Sequence, residues 1–169
     1  AERDCTDLIA RWHGRDRLAY AVTVRFAPTS TPAQLAMAGA LCAAHPGLYM
    51  QTHVAENKAE VQWVRELFPE ARSYLDVYAR AGLLGPRSVL AHGVWLDDEA
   101  IALMCERGTY LVATYTAPWQ IAHRGIEAGI PLFMVEKGWQ VLESHERSIR
   151  AAIRAGVRIA MGTDQGTPM

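Results

Sequence analysis

The chain has 169 residues, of which half are apolar and 21% are charged, and its formal net charge is −1. Thirteen Gly and eight Pro are ordinary numbers for this length, so the composition excludes a collagen-like or low-complexity protein. The balance of 17 basic and 18 acidic residues predicts no nucleic-acid partner and no membrane-surface partner recognised by charge.

Two further features of the sequence bear on its cellular environment. No apolar run approaches the roughly 20 residues that a membrane-spanning helix needs, and the first residues are not typical of a signal peptide. Cys5, Cys42 and Cys105 are odd in number and lack the CxxC spacing. They are therefore interpreted as reduced thiols, and a cytoplasmic location is expected.

Short β-branched runs and longer segments of helical periodicity alternate in the first half of the chain. The alternating pattern of 18–26 predicts a strand. Thr31, Pro32 and Gln34 then form a helix start, and Pro46-Gly47 ends that helix. A second strand follows over 48–53, and Asn57 with Glu60 has the spacing of a capping box that begins the next helix.

The same alternation continues to the carboxyl end. A short helix over 73–81 precedes a strand over 88–92, and Asp97 caps a helix that ends at Gly108. Further strands are predicted over 109–113 and 157–161, separated by a short helix, a loop and a long helix that ends at Gly156. The order of elements predicts an α/β fold with a parallel sheet and outer helices.

Ionisable side chains follow three of the predicted strands. His53, His92 and Asp164 each lie just past an apolar run. The carboxyl ends of parallel strands face the binding site in α/β folds, so these three groups are expected to converge. A histidine in this position is often a satisfied structural group, but a shared cation or a polar active site explains three such groups together.

Glu56 lies three residues after His53. Neutral imidazole is a good ligand for a zinc-type ion, and a carboxylate at this spacing can take a proton from the attacking water and pass it to a leaving group. Asp164 can ligate the metal or hold the hydroxide, and His92 can polarise the scissile bond by hydrogen bonding. The alternative for Glu56 is a helix-start acid that the helix dipole favours.

Three motifs carry a resemblance to a known family. Gln51-Thr52-His53-Val54-Ala55-Glu56-Asn57, Ala91-His92-Gly93 and Gly162-Thr163-Asp164 resemble the metal-dependent amidohydrolase superfamily. Residues from about 5 to 92, in particular 12–35, 51–64 and 67–84, are similar to bacterial guanine deaminases.

The resemblance implies a role for each matching residue. His53 would be a metal ligand, Glu56 the proton shuttle, His92 a catalytic group beside the metal, and Asp164 both ligand and base. Arg25 and Phe26 correspond to the residues that hold guanine in that family, by hydrogen bonding and stacking. Without the resemblance, Arg25 is equally a solvated charge at a strand end.

The second half departs from guanine deaminases. Their His-Cys-Pro-x-Ser-Asn motif is replaced by ATYTAP at 113–118, and residues from about 93 to 169 resemble the prolidase-like and imidazolonepropionase-like branch. The chain is therefore interpreted as one domain over 1–169 with a possible seam near 92–93, a natural or artificial hybrid. No His-x-His pair occurs, although the superfamily has one on its first barrel strand.

These resemblances imply part of a (β/α)₈ TIM-type barrel, with about five parallel strands corresponding to the fourth to eighth. A complete barrel has about 250 residues, so the chain is interpreted as a fragment. The implied cofactor is Zn²⁺ or another divalent metal, although a zinc site usually needs three protein ligands.

The implied reaction is attack of a metal-bound hydroxide on a C–N centre, with guanine converted to xanthine and ammonia. One alternative is a prolidase-like or imidazolonepropionase-like hydrolase of amides or dipeptides. The other is a catalytically incomplete barrel fragment that only folds or self-assembles, since exposed sheet edges favour a homo-oligomer.

Overall fold

Strands and helices alternate along the chain, and every strand is parallel to its neighbours. The computed structural model describes residues 1–164. The strands are β1 (Ala21–Thr23), β2 (Tyr49–Val54), β3 (Ser88–His92), β4 (Tyr110–Val112) and β5 (Arg158–Ile159). The helices are α1 (Glu2–Trp12), α2 (Pro32–Ala44), α3 (Lys58–Leu67), α4 (Tyr74–Arg80), α5 (Asp98–Arg107), α6 (Thr116–Arg124) and α7 (Leu132–Ala155).

The sheet is built in the order in which its strands occur in the sequence. Its order is β1-β2-β3-β4-β5, and each strand pairs in parallel with the next. In the longest pairing, His53 lies opposite Ala91, and Val54 opposite His92. Successive parallel strands joined by helices are the arrangement of a (β/α) barrel wall, and this confirms the predicted α/β class.

The predicted capping residues define where the helices begin. The Thr31 hydroxyl accepts from the Gln34 amide, and the Gln34 side chain accepts from the Thr31 amide. Asn57 and Glu60 form the same reciprocal pair at the start of α3. Both capping boxes are confirmed, because the hydrogen bonds of a cap depend only on residues three positions apart.

The strands at the two sides of the sheet are shorter than the sequence predicts. Alternation predicted a strand over 18–26, but the ladder of β1 covers Ala21–Thr23. The apolar run at 157–161 likewise contributes only Arg158–Ile159. Each of these strands has one neighbour within the described residues, so fewer backbone hydrogen bonds define it. The short helix, the loop and the long helix predicted between the last two strands correspond to α6, a 3₁₀ turn at Ile126–Ala128 and α7.

The two faces of the sheet have different surroundings. Along β2, Met50, Thr52 and Val54 are buried, whereas Tyr49, Gln51 and His53 are exposed on the other face. The buried face belongs to a core whose largest fully buried side chains include Tyr78, Leu75, Leu90, Met104 and Leu111. The exposed face is the one that points inwards in a closed barrel.

No helix within residues 1–164 combines the length and the apolar character that crossing a membrane would require.

Candidate active site

The side chains predicted to converge meet at the carboxyl edge of the sheet. His53 is the last residue but one of β2 and lies on its exposed face, and its ring stacks on that of His92 with centroids 5.1 Å apart and planes 23° from parallel. The Glu56 carboxylate oxygen Oε2 lies 3.9 Å from Nε2 of His92. Asp164 is close enough to raise the pKa of His92 through its charge. The structure therefore brings His53, His92 and Glu56 together, with the charge of Asp164 acting on the same site.

His53 is oriented by a backbone carbonyl. Its Nδ1 lies 2.7 Å from the carbonyl oxygen of Arg25, which also accepts the His53 amide at 3.2 Å. A carbonyl can only accept, so Nδ1 of the neutral ring carries the proton and Nε2 has a free lone pair. Histidines that bind metals are commonly held in this way, with the second nitrogen donating to a carbonyl.

His92 is buried and neutral near pH 7. Burial lowers the pKa of the His92 ring and the neighbouring His53 lowers it further, which together outweigh the raising effect of Glu56 and Asp164. Its Nδ1 lies 2.8 Å from the hydroxyl oxygen of Thr114. A neutral imidazole beside an exposed carboxylate can exchange protons with water or substrate near pH 7.

Unusual backbone conformations concentrate at this edge. Within residues 1–164, five residues other than glycine have positive φ, and four of them lie here: Ala55 (50°), His92 (72°), Thr114 (51°) and Asp164 (55°). Each such conformation costs about 1–3 kcal/mol and persists only where surrounding contacts hold it. Clustering of this strain is typical of a functional site.

Two buried side chains that were not predicted as site residues hold the backbone on which His53 and Glu56 lie. The Tyr78 hydroxyl accepts from the Ala27 amide at 2.8 Å and donates to the His53 carbonyl at 3.2 Å. Glu60 accepts from the Tyr74 hydroxyl at 2.6 Å and from the amide of Glu56 at 3.2 Å. The capping-box spacing could have indicated Glu60, but no local pattern indicates Tyr78.

The predicted substrate-binding pair borders the site. The Arg25 guanidinium lies over the Phe26 ring, 5.4 Å from its centroid, and the Arg25 carbonyl holds His53. The Arg25 side chain is exposed, so its donors are free to meet a ligand. The site therefore has an aromatic face and a guanidinium at one side.

The residues present do not complete a metal site by themselves. Within residues 1–164 no group of three or more His, Cys, Asp or Glu side chains is arranged to hold a metal ion. His53 and Asp164 are the predicted ligands, and zinc sites typically take three protein ligands. The orientation of His53 suits a metal, but the number of donors does not.

The comparisons with known proteins identify the family. The model of the amidohydrolase family matches residues 2–169. The chain belongs to the amidohydrolase family. The guanine deaminase of Escherichia coli (strain K12) is 38% identical over 160 residues, which is 95% of this chain. A probable guanine deaminase of Deinococcus radiodurans is 36% identical over 159 residues, which is 94% of this chain. The solved structure of the E. coli guanine deaminase superposes with a TM-score of 0.77 at 34% identity, covering 98% of this amidohydrolase chain.

These relatives are longer than this amidohydrolase. The chain spans 32% and 31% of the two curated proteins and 35% of the solved structure. Its five parallel strands are therefore part of a barrel, as the sequence predicts. The similarity to guanine deaminases continues across positions 92–93, where the sequence analysis places a possible seam. One partial-barrel domain over 1–169, with or without that seam, stays a prediction.

Proposed function

We propose that this edge of the sheet is part of the active site of a hydrolase that converts guanine to xanthine and ammonia. The observation that carries the proposal is the convergence of His53, His92 and Glu56, with stacked rings and a carboxylate 3.9 Å from Nε2 of His92. Similarity to guanine deaminases over both halves of the chain favours guanine over an amide or dipeptide substrate.

Glu56 is proposed to be the group that moves protons. Its side chain is half exposed and it follows the positive-φ residue Ala55, so the carboxylate faces solvent beside the two imidazoles. In the proposed reaction, Glu56 takes a proton from water as the water oxygen bonds to the amino-bearing carbon of guanine. The proton then goes to the amino group, the C–N bond breaks, and ammonia leaves.

Arg25 and Phe26 are proposed to bind the purine. An aromatic ring covers the face of a base, and the guanidinium fork matches two neighbouring acceptors on its edge. The Arg25 carbonyl hydrogen-bonds His53, so a base held by this segment lies next to the histidines. A small purine base is thus the proposed partner.

A divalent metal, Zn²⁺ in the first instance, is the proposed cofactor, with His53 and Asp164 as its ligands within this chain. When bound it would supply Lewis acidity. The cysteines Cys5, Cys42 and Cys105 are free in the structure, which supports a cytoplasmic location as part of the proposal.

A turnover assay with matched variants tests the proposal. The purified chain, supplemented with Zn²⁺, is given guanine, an N-acyl amino acid or an Xaa-Pro dipeptide, and ammonia, xanthine and free amino acids are measured. We expect xanthine and ammonia in equal amounts from guanine, and a loss of about 10²–10⁴-fold in Glu56→Gln. Glu66→Gln on the exposed face of α3 is the matched control and keeps full activity.

The remaining outcomes overturn the proposal. Cleavage of the dipeptide or amide without guanine turnover assigns the site to the other branch of the family. A folded chain that turns over none of the three substrates is the catalytically incomplete fragment, and its sedimentation then shows whether the exposed strands β1 and β5 pair between copies.

A further inference from the structure

The two ring nitrogens of His92 have different surroundings. Nδ1 lies 2.8 Å from the Thr114 hydroxyl oxygen, a good hydrogen-bond distance. Nε2 lies 3.9 Å from the nearest Glu56 oxygen, which is too long for a hydrogen bond. Thr114 is therefore the direct partner of the His92 ring, and the side of the ring that faces Glu56 is open to a ligand.

The direction of this hydrogen bond follows from the second contact of Thr114. Its hydroxyl oxygen also lies 2.7 Å from the carbonyl oxygen of Ala113, to which it donates. A hydroxyl has one proton, and the carbonyl can only accept it. The Thr114 oxygen is then left as an acceptor for His92, so Nδ1 of His92 must carry a proton and Nε2 must carry the lone pair.

A second histidine holds the backbone of His92. His145 in α7 is 1% exposed, and its Nε2 lies 3.0 Å from the His92 carbonyl oxygen. The carbonyl accepts, so His145 is protonated on Nε2, and its buried Nδ1 makes no hydrogen bond among the described residues. This contact supports His92 at a φ of 72°. The two buried imidazoles are thus expected in opposite tautomers.

We propose that Thr114 is a positioning residue that fixes His92 in its Nδ1–H tautomer, so that Nε2 accepts a hydrogen bond from water or from the substrate amino group. The relevance to catalysis rests on the proposed function, whereas the tautomer itself does not. The restriction matters because an Nε2–H form would donate towards the same space and could not accept a proton there.

Nuclear magnetic resonance of ¹⁵N-histidine protein tests the proposal without any turnover. Long-range ¹H–¹⁵N spectra of the metal-free chain at mildly alkaline pH distinguish a protonated ring nitrogen from one with a lone pair, and His92→Asn and His145→Asn assign the signals. We expect His92 to be protonated on Nδ1 and His145 on Nε2. Thr114→Val keeps the β-branched shape but lacks the hydroxyl, so His92 should lose its single-tautomer pattern. Thr114→Ser keeps the hydroxyl and should keep the pattern.

The control is the same substitution at another buried threonine. Thr109 is 0% exposed and its hydroxyl makes no hydrogen bond among the described residues, so Thr109→Val should leave the His92 signals unchanged. Protonation of His92 on Nε2 in the unmodified chain overturns the proposal, and so does an unchanged His92 pattern in folded Thr114→Val. If Thr114→Val does not fold, the spectra of the unmodified chain and of Thr114→Ser test the proposal. A mixed pattern or an Nε2–H pattern for His92 in either protein refutes it. Absence of guanine turnover with the expected tautomers counts against the proposed function alone.

Discussion

Removing the Tyr78 hydroxyl tests whether one buried atom stabilises the fold beneath the candidate site. Tyr78 is fully buried, and burial raises the pKa of its hydroxyl to about 12, so the hydroxyl keeps its proton near neutral pH. That oxygen accepts from the amide of Ala27 and from the hydroxyl of Thr52, and it donates to the carbonyl of His53. Tyr78→Phe removes all three hydrogen bonds while keeping the ring in place.

The cost can be worked out from the groups left behind. Ala27 is 0% exposed, so its amide loses its partner without access to water, which costs about 1–3 kcal/mol. Loss of the bond to the His53 carbonyl adds about 1 kcal/mol, because Thr52 also reaches that oxygen at 3.3 Å and compensates in part. We expect Tyr78→Phe to lower the free energy of unfolding by about 2–4 kcal/mol. This corresponds to a fall in Tm of roughly 6–12 °C for a domain of this size.

Urea denaturation followed by far-UV circular dichroism measures the change, with Tyr49→Phe as the matched control. Tyr49 is 39% exposed, and its ring contact with Arg87 survives the loss of the hydroxyl, so a change within about 0.5 kcal/mol is expected. If Tyr78→Phe is as stable as Tyr49→Phe, the inferred contribution of the Tyr78 hydroxyl to the stability of the fold is wrong.

Two further predictions concern stability. Gly39→Ala in α2 should destabilise the protein by about 1–3 kcal/mol in urea denaturation, although alanine favours helices, because the new Cβ would collide with the Ala81 backbone carbonyl. Burial alone would raise the pKa of Asp76, but hydrogen bonds from Arg72 and Arg80 outweigh it and hold that pKa below its usual value. The carboxylate therefore stabilises the fold above pH 4, and urea titrations should show stability falling as the pH drops through the folded pKa, less steeply in Asp76→Asn.

Each of these predictions has a matched control. Gly85 has open space where a Cβ would be added, so Gly85→Ala should be nearly neutral, and equal stability of the two alanine variants would contradict the argument from Ala81. For the acid dependence, Asp98→Asn at an exposed position should follow the unmodified chain. Identical acid profiles for Asp76→Asn and Asp98→Asn would show that the Arg72 and Arg80 contacts contribute nothing measurable.

Local sequence patterns defined most of the elements and the approximate position of the site. Thr31 with Gln34 and Asn57 with Glu60 cap their helices as predicted, because those hydrogen bonds join residues three apart. The class of fold follows from the alternation of strands and helices. The ends of β1 and β5 were predicted less well. The hydrogen-bonded part of a strand ends where the neighbouring strand ends, and the periodicity of one strand contains no information about its neighbour.

The orientation of His92 was decided by the tertiary structure. Alternation along β3 places its side chain with those of Ser88 and Leu90, on the buried face, whereas its ring stacks on His53 from the exposed face of β2. The left-handed backbone at His92 redirects the side chain. No pattern of residue types predicts that conformation, because residues other than glycine rarely adopt positive φ.

The sequence by itself determined which residue types occupy the carboxyl ends of the strands, and so the chemistry available there. Only the tertiary structure decided which atoms meet: Thr114 reaches His92 across 22 positions, and His145 reaches it across 53. Such contacts form because separate strands and helices pack against one core, and the hydrogen bonds of buried polar groups are then completed by whichever residue the packing brings within reach.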